Sequence, residues 1–323
     1  MLFLVIFQLL NQAYFMGFFF LLSGYFTPFS YDHKGPARFL KDRLLRLGIP
    51  LLVFMFVLNP TASIGMWYMP SSLTGITTPL TWSQYPKLIA MGPLWFVAML
   101  LIFDFGYAGW WFFRRNRVPC SESLTVFPRY SQIGLFILGL ALSSYLIRIV
   151  LPLGKYLLHF PTLAYLPEYL SFFILGSIAS RRNWLQTMPN RLGKVGLVAV
   201  TIATLTLFPL ALSGKVNFLG GGTWQSAIYA LWDSVFSVGT CLSLITLFRN
   251  RFNRSSKFGG FLSRHAYTVF IVHAPVIVFL AIALRNLQLE HLLKFGLAAI
   301  IGIPLCFATA LLVRRIPFAC KIL

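Results

Sequence analysis

Two arginines three residues apart, Arg43 and Arg46, and three ionisable groups set inside long apolar runs, Asp104, Asp233 and His273, are the residues here best equipped for chemistry. On a helix, positions i and i+3 are neighbours, so the two guanidinium groups can converge on one phosphate or on adjacent phosphates. A carboxylate at bilayer depth costs about 3 kcal/mol on insertion scales, so each one that persists is a candidate for a substrate path, a proton relay or a base, unless it is paired inside a helix bundle. His273 adds an imidazole that can take or give a proton near neutral pH. For Asp104, Tyr107 at i+3 or a cation from another helix is the alternative to function. Glu168 opens an apolar run, where the helix dipole accommodates an anion. His33, His159, His265 and His291 fall in connections or at span ends and are expected to be solvated. There is no Gly-rich phosphate loop, no Gly-x-Ser-x-Gly elbow and no paired-cysteine motif, so neither nucleotide hydrolysis, serine-hydrolase chemistry nor a metal site is supported.

The elements that must position these groups follow from composition. Of 323 residues, 58% are apolar, 17% aromatic and 11% charged, with a mean hydropathy of +0.77; a soluble domain carries about 25% charged residues. A helix needs about 20 mainly apolar residues to cross the hydrocarbon core. Nine stretches qualify: 2–28, 48–68, 92–113, 131–152, 163–180, 195–213, 224–248, 266–284 and 292–313. Barrel strands alternate in polarity over about 10 residues and do not give such runs. The expected fold is therefore an all-α integral membrane protein of about nine transmembrane helices, folded as a single domain over 1–323. The four cysteines, Cys120, Cys241, Cys306 and Cys320, lie far apart, and no disulfide is expected.

Lys and Arg decide orientation, because cytoplasmic connections keep positive charge during insertion. Of 27 such residues, 21 fall after odd-numbered spans, including Arg114, Arg115, Arg117, Arg181, Arg182 and Arg254. The other side, with the span ends beside it, holds Lys87, Arg148, Lys155, Lys215, Arg285 and Lys294. This asymmetry places the C-terminus in the cytoplasm and spreads the +20 formal charge between apolar runs, so a nucleic-acid surface is not expected. Within the basic segment 29–47, the stretch Gly35 to Leu47 reads as an amphipathic helix with Leu40, Leu44 and Leu47 on its apolar side. Its cations suit a lipid phosphate of the anionic cytoplasmic leaflet and a nucleotide phosphate alike. Trp67, Tyr68, Trp95, Trp110 and Trp111 read as an aromatic belt. Gly17 and Gly24 allow close helix packing, and Pro60 and Pro304 mark kinks or irregular ends.

Four phrases in order resemble the acyltransferase family 3 of multi-span membrane enzymes: Phe18 to Phe26, containing Ser23-Gly24-Tyr25-Phe26; Arg43-Leu44-Leu45-Arg46-Leu47-Gly48-Ile49-Pro50; Gly92-Pro93-Leu94-Trp95-Phe96; and Ala266 to Pro275, containing His273. The resemblance implies a ten-helix fold in the inner membrane. It implies that Arg43 and Arg46 grip the phosphates of an acyl-coenzyme A donor, acetyl-coenzyme A in particular, at the cytoplasmic face. Ser23 and Trp95 join them as donor-site candidates. The acyl group would pass to a hydroxyl of a glycan or lipid-linked acceptor.

The family's first helix carries an Arg and a His regarded as the base. This sequence begins with the following helix, so the expectation is a truncated start or lost chemistry. His273 and Asp233 are then the remaining catalytic candidates, His273 as a base and Asp233 to orient a base or hold an acceptor hydroxyl. Two rival readings stand beside the enzyme: a proton-coupled transporter using Asp104, Asp233 and His273, and a catalytically inactive membrane scaffold.

Overall fold

A computed structural model describes residues 2–76, 81–114, 127–155, 160, 163–214, 216–252 and 256–322. Cys120, Arg115, Arg117, His159, Lys215 and Arg254 lie outside the described residues. Its principal helices are α1 (Leu2–Gln12), α2 (Phe15–Lys34), α3 (Pro36–Arg43), α4 (Trp95–Phe113), α5 (Tyr130–Val150), α6 (Leu166–Arg181), α7 (Asn190–Leu212), α8 (Trp224–Arg251), α9 (Lys257–Ala283) and α10 (His291–Arg314). Among the described residues there is no strand, and nine helical stretches are long and apolar enough to cross a membrane. The chain divides into two compact units, Met1–Leu40 with Ile102–Arg254, and Lys41–Leu101 with Ser255–Leu323.

In the first unit, α2 lies against α6 and α7 against α8 at separations that only small residues permit. A Cβ on Gly24 would overlap the carbonyl of Phe173, one on Gly176 would overlap the carbonyl of Leu21, and one on Gly17 would overlap Glu168 Oε1. Across the other pair, a Cβ on Gly196 would sit 2.6 Å from the Gly239 carbonyl oxygen, and one on Gly239 would sit 2.8 Å from that of Gly196. Lipid tails are as apolar as leucine, so helix association in a bilayer rests on such close contact rather than on transfer from water. Aromatic rings fill the interior around Trp232, which meets Phe208, Tyr229 and Phe236 in tilted contacts at 4.4–5.2 Å between centroids. Its indole N–H donates to Thr204 at 3.2 Å.

In the second unit the second span departs from a plain helix. After α3, the chain is π-helical over Leu44–Gly48, α-helical over Ile49–Val53, π-helical over Phe54–Leu58 and α-helical over Asn59–Gly65. Each π segment ends two residues before a proline. Pro50 and Pro60 have no N–H, so in an α-helix the carbonyls of Arg46 and Phe56 would lose their donors. A tyrosine hydroxyl reaches each one instead: Tyr267 donates to the Arg46 carbonyl at 2.8 Å, and Tyr85 donates to that of Phe56. Along the amphipathic segment Phe39 and Leu47 are buried, Leu40 is half-buried and Leu44 is 47% exposed, so the expected stripe through Leu40, Leu44 and Leu47 breaks at Leu44.

Candidate functional site

The Arg-x-x-Arg pair sits at this irregular turn. Arg43 ends α3 and is half-buried, and Arg46 lies inside the first π segment and is exposed. The Tyr267 hydroxyl ties the backbone of Arg46 to α9, across 221 positions of sequence. Two phrases of the sequence resemblance thus meet through one hydrogen bond whose acceptor a proline has freed. A third phrase belongs to the same unit. Gly92 adopts a left-handed conformation (φ +45°), and a Cβ there would lie 2.8 Å from both Asn59 Oδ1 and the Phe54 ring, so glycine is required on both counts. The Asn59 amide donates to the Leu88 carbonyl at 2.7 Å and holds this turn.

Trp95 follows it and is 6% exposed; it is an interior residue and not part of a lipid-facing belt, unlike Tyr68 and Trp110, which are 61% and 57% exposed. Its ring meets Phe96 edge to face at 6.5 Å, Phe96 meets Phe270 at 6.2 Å, and Phe270 stacks on His273 at 5.7 Å. His273 Nδ1 lies 2.6 Å from the Phe270 carbonyl. A carbonyl only accepts, so the neutral ring carries its hydrogen on Nδ1 and leaves the Nε2 lone pair for another partner.

The first unit holds a second polar centre. Arg148 Nη2 donates to Asp233 Oδ2 at 2.6 Å, with the two side chains 0% and 3% exposed. The rings of Tyr165 and Tyr229 lie 4.8 and 5.5 Å from the guanidinium carbon. Glu168, 2% exposed, is within electrostatic reach of both members of the pair. Arg148 is thus paired with Asp233 and lies near a second carboxylate, Glu168, in a site walled by α5, α6 and α8, with Gly17 of α2 leaving room for Glu168. Arg148 Nε and Nη1, Glu168 Oε1, Ser226 Oγ, Tyr229 Oη and Asp233 Oδ1 are buried with no hydrogen-bond partner among the described residues. Such a centre holds three helices together, and its spare donors and acceptors suit water or hydroxyl groups.

The sequence candidates fall accordingly. Arg43, Arg46, Trp95 and His273 belong to the second unit, and Ser23 and Asp233 to the first. Ser23 is half-buried, and its carbonyl accepts the Thr27 hydroxyl at 2.8 Å. The same Thr27 hydroxyl stands 3.2 Å from Asp104 Oδ1, so its one proton is shared between that carboxylate and the Ser23 carbonyl, whereas the Tyr107 hydroxyl accepts from Arg181 at 2.7 Å; the tyrosine one turn away is engaged elsewhere. Arg181 also bridges Asp32 at 3.2 Å. His265, expected to be solvated, is 7% exposed with Nδ1 2.7 Å from the Phe261 carbonyl, because α9 starts at Lys257, nine residues before the predicted span.

Sequence reasoning missed Arg148, Glu168 and Tyr267 as partners. Arg148 sits within an apolar run, and an intramembrane cation demands an anion; that demand was the available signal. Tyr267 was legible only through Pro50, whose missing N–H implies an orphaned carbonyl four residues earlier.

Comparison with known proteins bears on the same segments. The family described as an acyltransferase domain matches residues 2–314. Glucans biosynthesis protein C of Salmonella schwarzengrund (strain CVM19633) is 24% identical, over 94% of this chain and 80% of that protein. The protein of the same name from Salmonella paratyphi B (strain ATCC BAA-1250 / SPB7) is 26% identical over the same shares. No solved structure matches the chain. With the match running through both units and all four sequence phrases, the chain belongs to acyltransferase family 3, the multi-span membrane acyltransferases.

Proposed function

We propose that this membrane acyltransferase takes an acyl group, acetyl in the first instance, from acyl-coenzyme A and delivers it to a hydroxyl of a glycan or a lipid-linked acceptor. The observation that carries the reading is the tie between Tyr267 and the Arg46 carbonyl. It fixes the backbone of the second arginine in a pattern suited to the coenzyme's phosphates, and it comes from the helix that also carries His273. Guanidinium forks bind phosphate oxygens bidentately, which ammonium groups do not. The names of the relatives support a glucan-type acceptor.

In the reaction, the acceptor oxygen attacks the thioester carbonyl, a C–O bond forms, and the C–S bond breaks. The hydroxyl proton passes through the base to the departing sulfur, giving an ester and free coenzyme A thiol. His273 Nε2 is the base in this reading. Asp233, committed to Arg148, acts as a positioning residue through that pair. The basic connections, including the segment from Pro36 to Leu47, face the cytoplasm of an inner membrane, and that segment rests against anionic lipid there, with the C-terminus on the same side.

The test is the full chain in liposomes with acetyl-coenzyme A and a glucan acceptor, following thiol release and ester formation together. Stoichiometric appearance of both, with Arg43→Lys and Arg46→Lys each impaired at least about tenfold in kcat/KM although charge is kept, is the expected result. Solute or proton flux without thioester consumption would replace the enzyme by the transporter reading.

A further inference from the structure

A cavity of about 380 Å³ opens within the first unit, between α2, α5, α6 and α8 and the short helix Trp184–Thr187. It is separate from the Arg148–Asp233 centre: neither residue lines it, nor does Glu168. Its volume lies in the range of small-molecule sites. Most of the wall is aliphatic and aromatic, with Leu21, Phe136, Leu175 and Leu242 contributing from four different spans. Nothing along that wall hydrogen-bonds a sugar or a coenzyme phosphate, whereas a hydrocarbon chain suits it.

The polar part of the lining consists of Gln132, Arg182 and Trp184. Arg182 is exposed, and its guanidinium carbon stands 5.5 Å from the Trp184 ring. Trp184 is 9% exposed, and its buried indole N–H has no acceptor among the described residues. Gln132 accepts the Arg129 N–H on its side-chain oxygen at 2.9 Å, and its amide NH₂ adds two donors. Indole N–H and guanidinium have no acceptor capacity at all. The polar end is therefore rich in donors, and it carries positive charge.

A pocket with an apolar body and a cationic, donor-rich end inside membrane-spanning helices selects an amphiphile with an acyl chain and an anionic, acceptor-rich head. We infer that this cavity is a binding site for one anionic phospholipid of the bilayer, with an acyl chain between α5, α6 and α8, the ester carbonyl on the Trp184 indole N–H and the phosphate on Arg182. The site is independent of the donor and acceptor assignments above.

The test uses the full purified chain and two probes, phosphatidylglycerol and phosphatidylcholine, each carrying a photoreactive group at the end of one acyl chain. Native mass spectrometry should find one phosphatidylglycerol per chain retained at detergent concentrations that strip phosphatidylcholine, with at least about fivefold preference. Peptide mapping should place the cross-links on Phe136, Leu175 or Leu242. Filling the cavity with Leu242→Trp should abolish the retained lipid and those cross-links, and Arg182→Gln should bring the two lipids to equal retention. If Leu242→Trp does not elute as a folded protein, Val238→Phe fills the same wall. Three results would overturn the inference: cross-links found only on outward residues such as Leu135 and Leu138, which are 71% and 59% exposed; equal retention of the two lipids by the unmodified chain; or competitive displacement of the bound lipid by a long-chain acyl-coenzyme A, which would make the cavity part of the donor site.

Discussion

Breaking the Arg148–Asp233 pair from each side, and then replacing it whole, tests whether it is a structural lock. At 2.6 Å, with both side chains essentially removed from solvent, the gross attraction is about 6 kcal/mol at an effective dielectric constant of about 20. Much of that is consumed by desolvation, so the informative quantity is the cost of leaving one charge behind, about 3–5 kcal/mol. The two sides should differ. Asp233→Leu leaves Arg148 with Glu168 as its remaining acidic neighbour, whereas Arg148→Met leaves two carboxylates with no cation between them. Arg148→Met should therefore fall near the upper end of that range and Asp233→Leu near the lower. The double variant Arg148→Met/Asp233→Leu should cost at least about 3 kcal/mol less than the summed single losses, and about 8 kcal/mol less if apolar replacement of the whole pair is neutral.

Unfolding by SDS titration of the protein in mild detergent, followed by tryptophan fluorescence, measures the cycle. Losses that simply add, with coupling below about 0.5 kcal/mol, would refute the claim that the pair acts as a unit. The same double variant separates positioning from chemistry. If Asp233 only positions helices, the folded double variant keeps kcat within about threefold of the starting protein; a folded but inactive one would put Asp233 in contact with reacting atoms.

Tyr267→Phe removes the donor to the Arg46 carbonyl and should raise the KM for acyl-coenzyme A about twofold to tenfold with kcat unchanged, corresponding to about 0.5–1.5 kcal/mol; a change in kcat alone would contradict a positioning role. His273→Gln keeps an amide of similar reach but no base, and should lower kcat by about 10²-fold or more in a single-turnover assay with saturating donor; full activity would remove His273 from the mechanism. Gly24→Ala and Gly176→Ala should each destabilise by about 1–3 kcal/mol through overpacking against backbone, while Gly134→Ala, which meets nothing within 4 Å, should be neutral or mildly stabilising in the same SDS titration.

The number of spans and their approximate limits were legible because the requirement is local: a run of about 20 apolar residues satisfies the bilayer wherever its neighbours are. Gly17 and Gly24 were legible as packing positions for a related reason, since lack of a side chain is visible without knowing what approaches. The four family phrases were legible as strings. Pairing was not. Asp233 demanded a cation, but Arg148 stands 85 positions away and was counted with the loop charges. Glu168 read as a helix-start anion and is also the third member of that buried centre. His265 read as solvated and is buried, because nine extra residues, about two and a half turns, at the start of its helix move it from the rim to the interior. Most telling is Arg46. Sequence identified its guanidinium as the useful group, but its carbonyl, orphaned by Pro50, is what the fold exploits, and the partner lies in a helix far along the chain. Apolar run length and residue size act along the chain and can be read from it. Charge pairing and hydrogen bonding depend on distance in space, and among distant segments only the tertiary structure sets that distance.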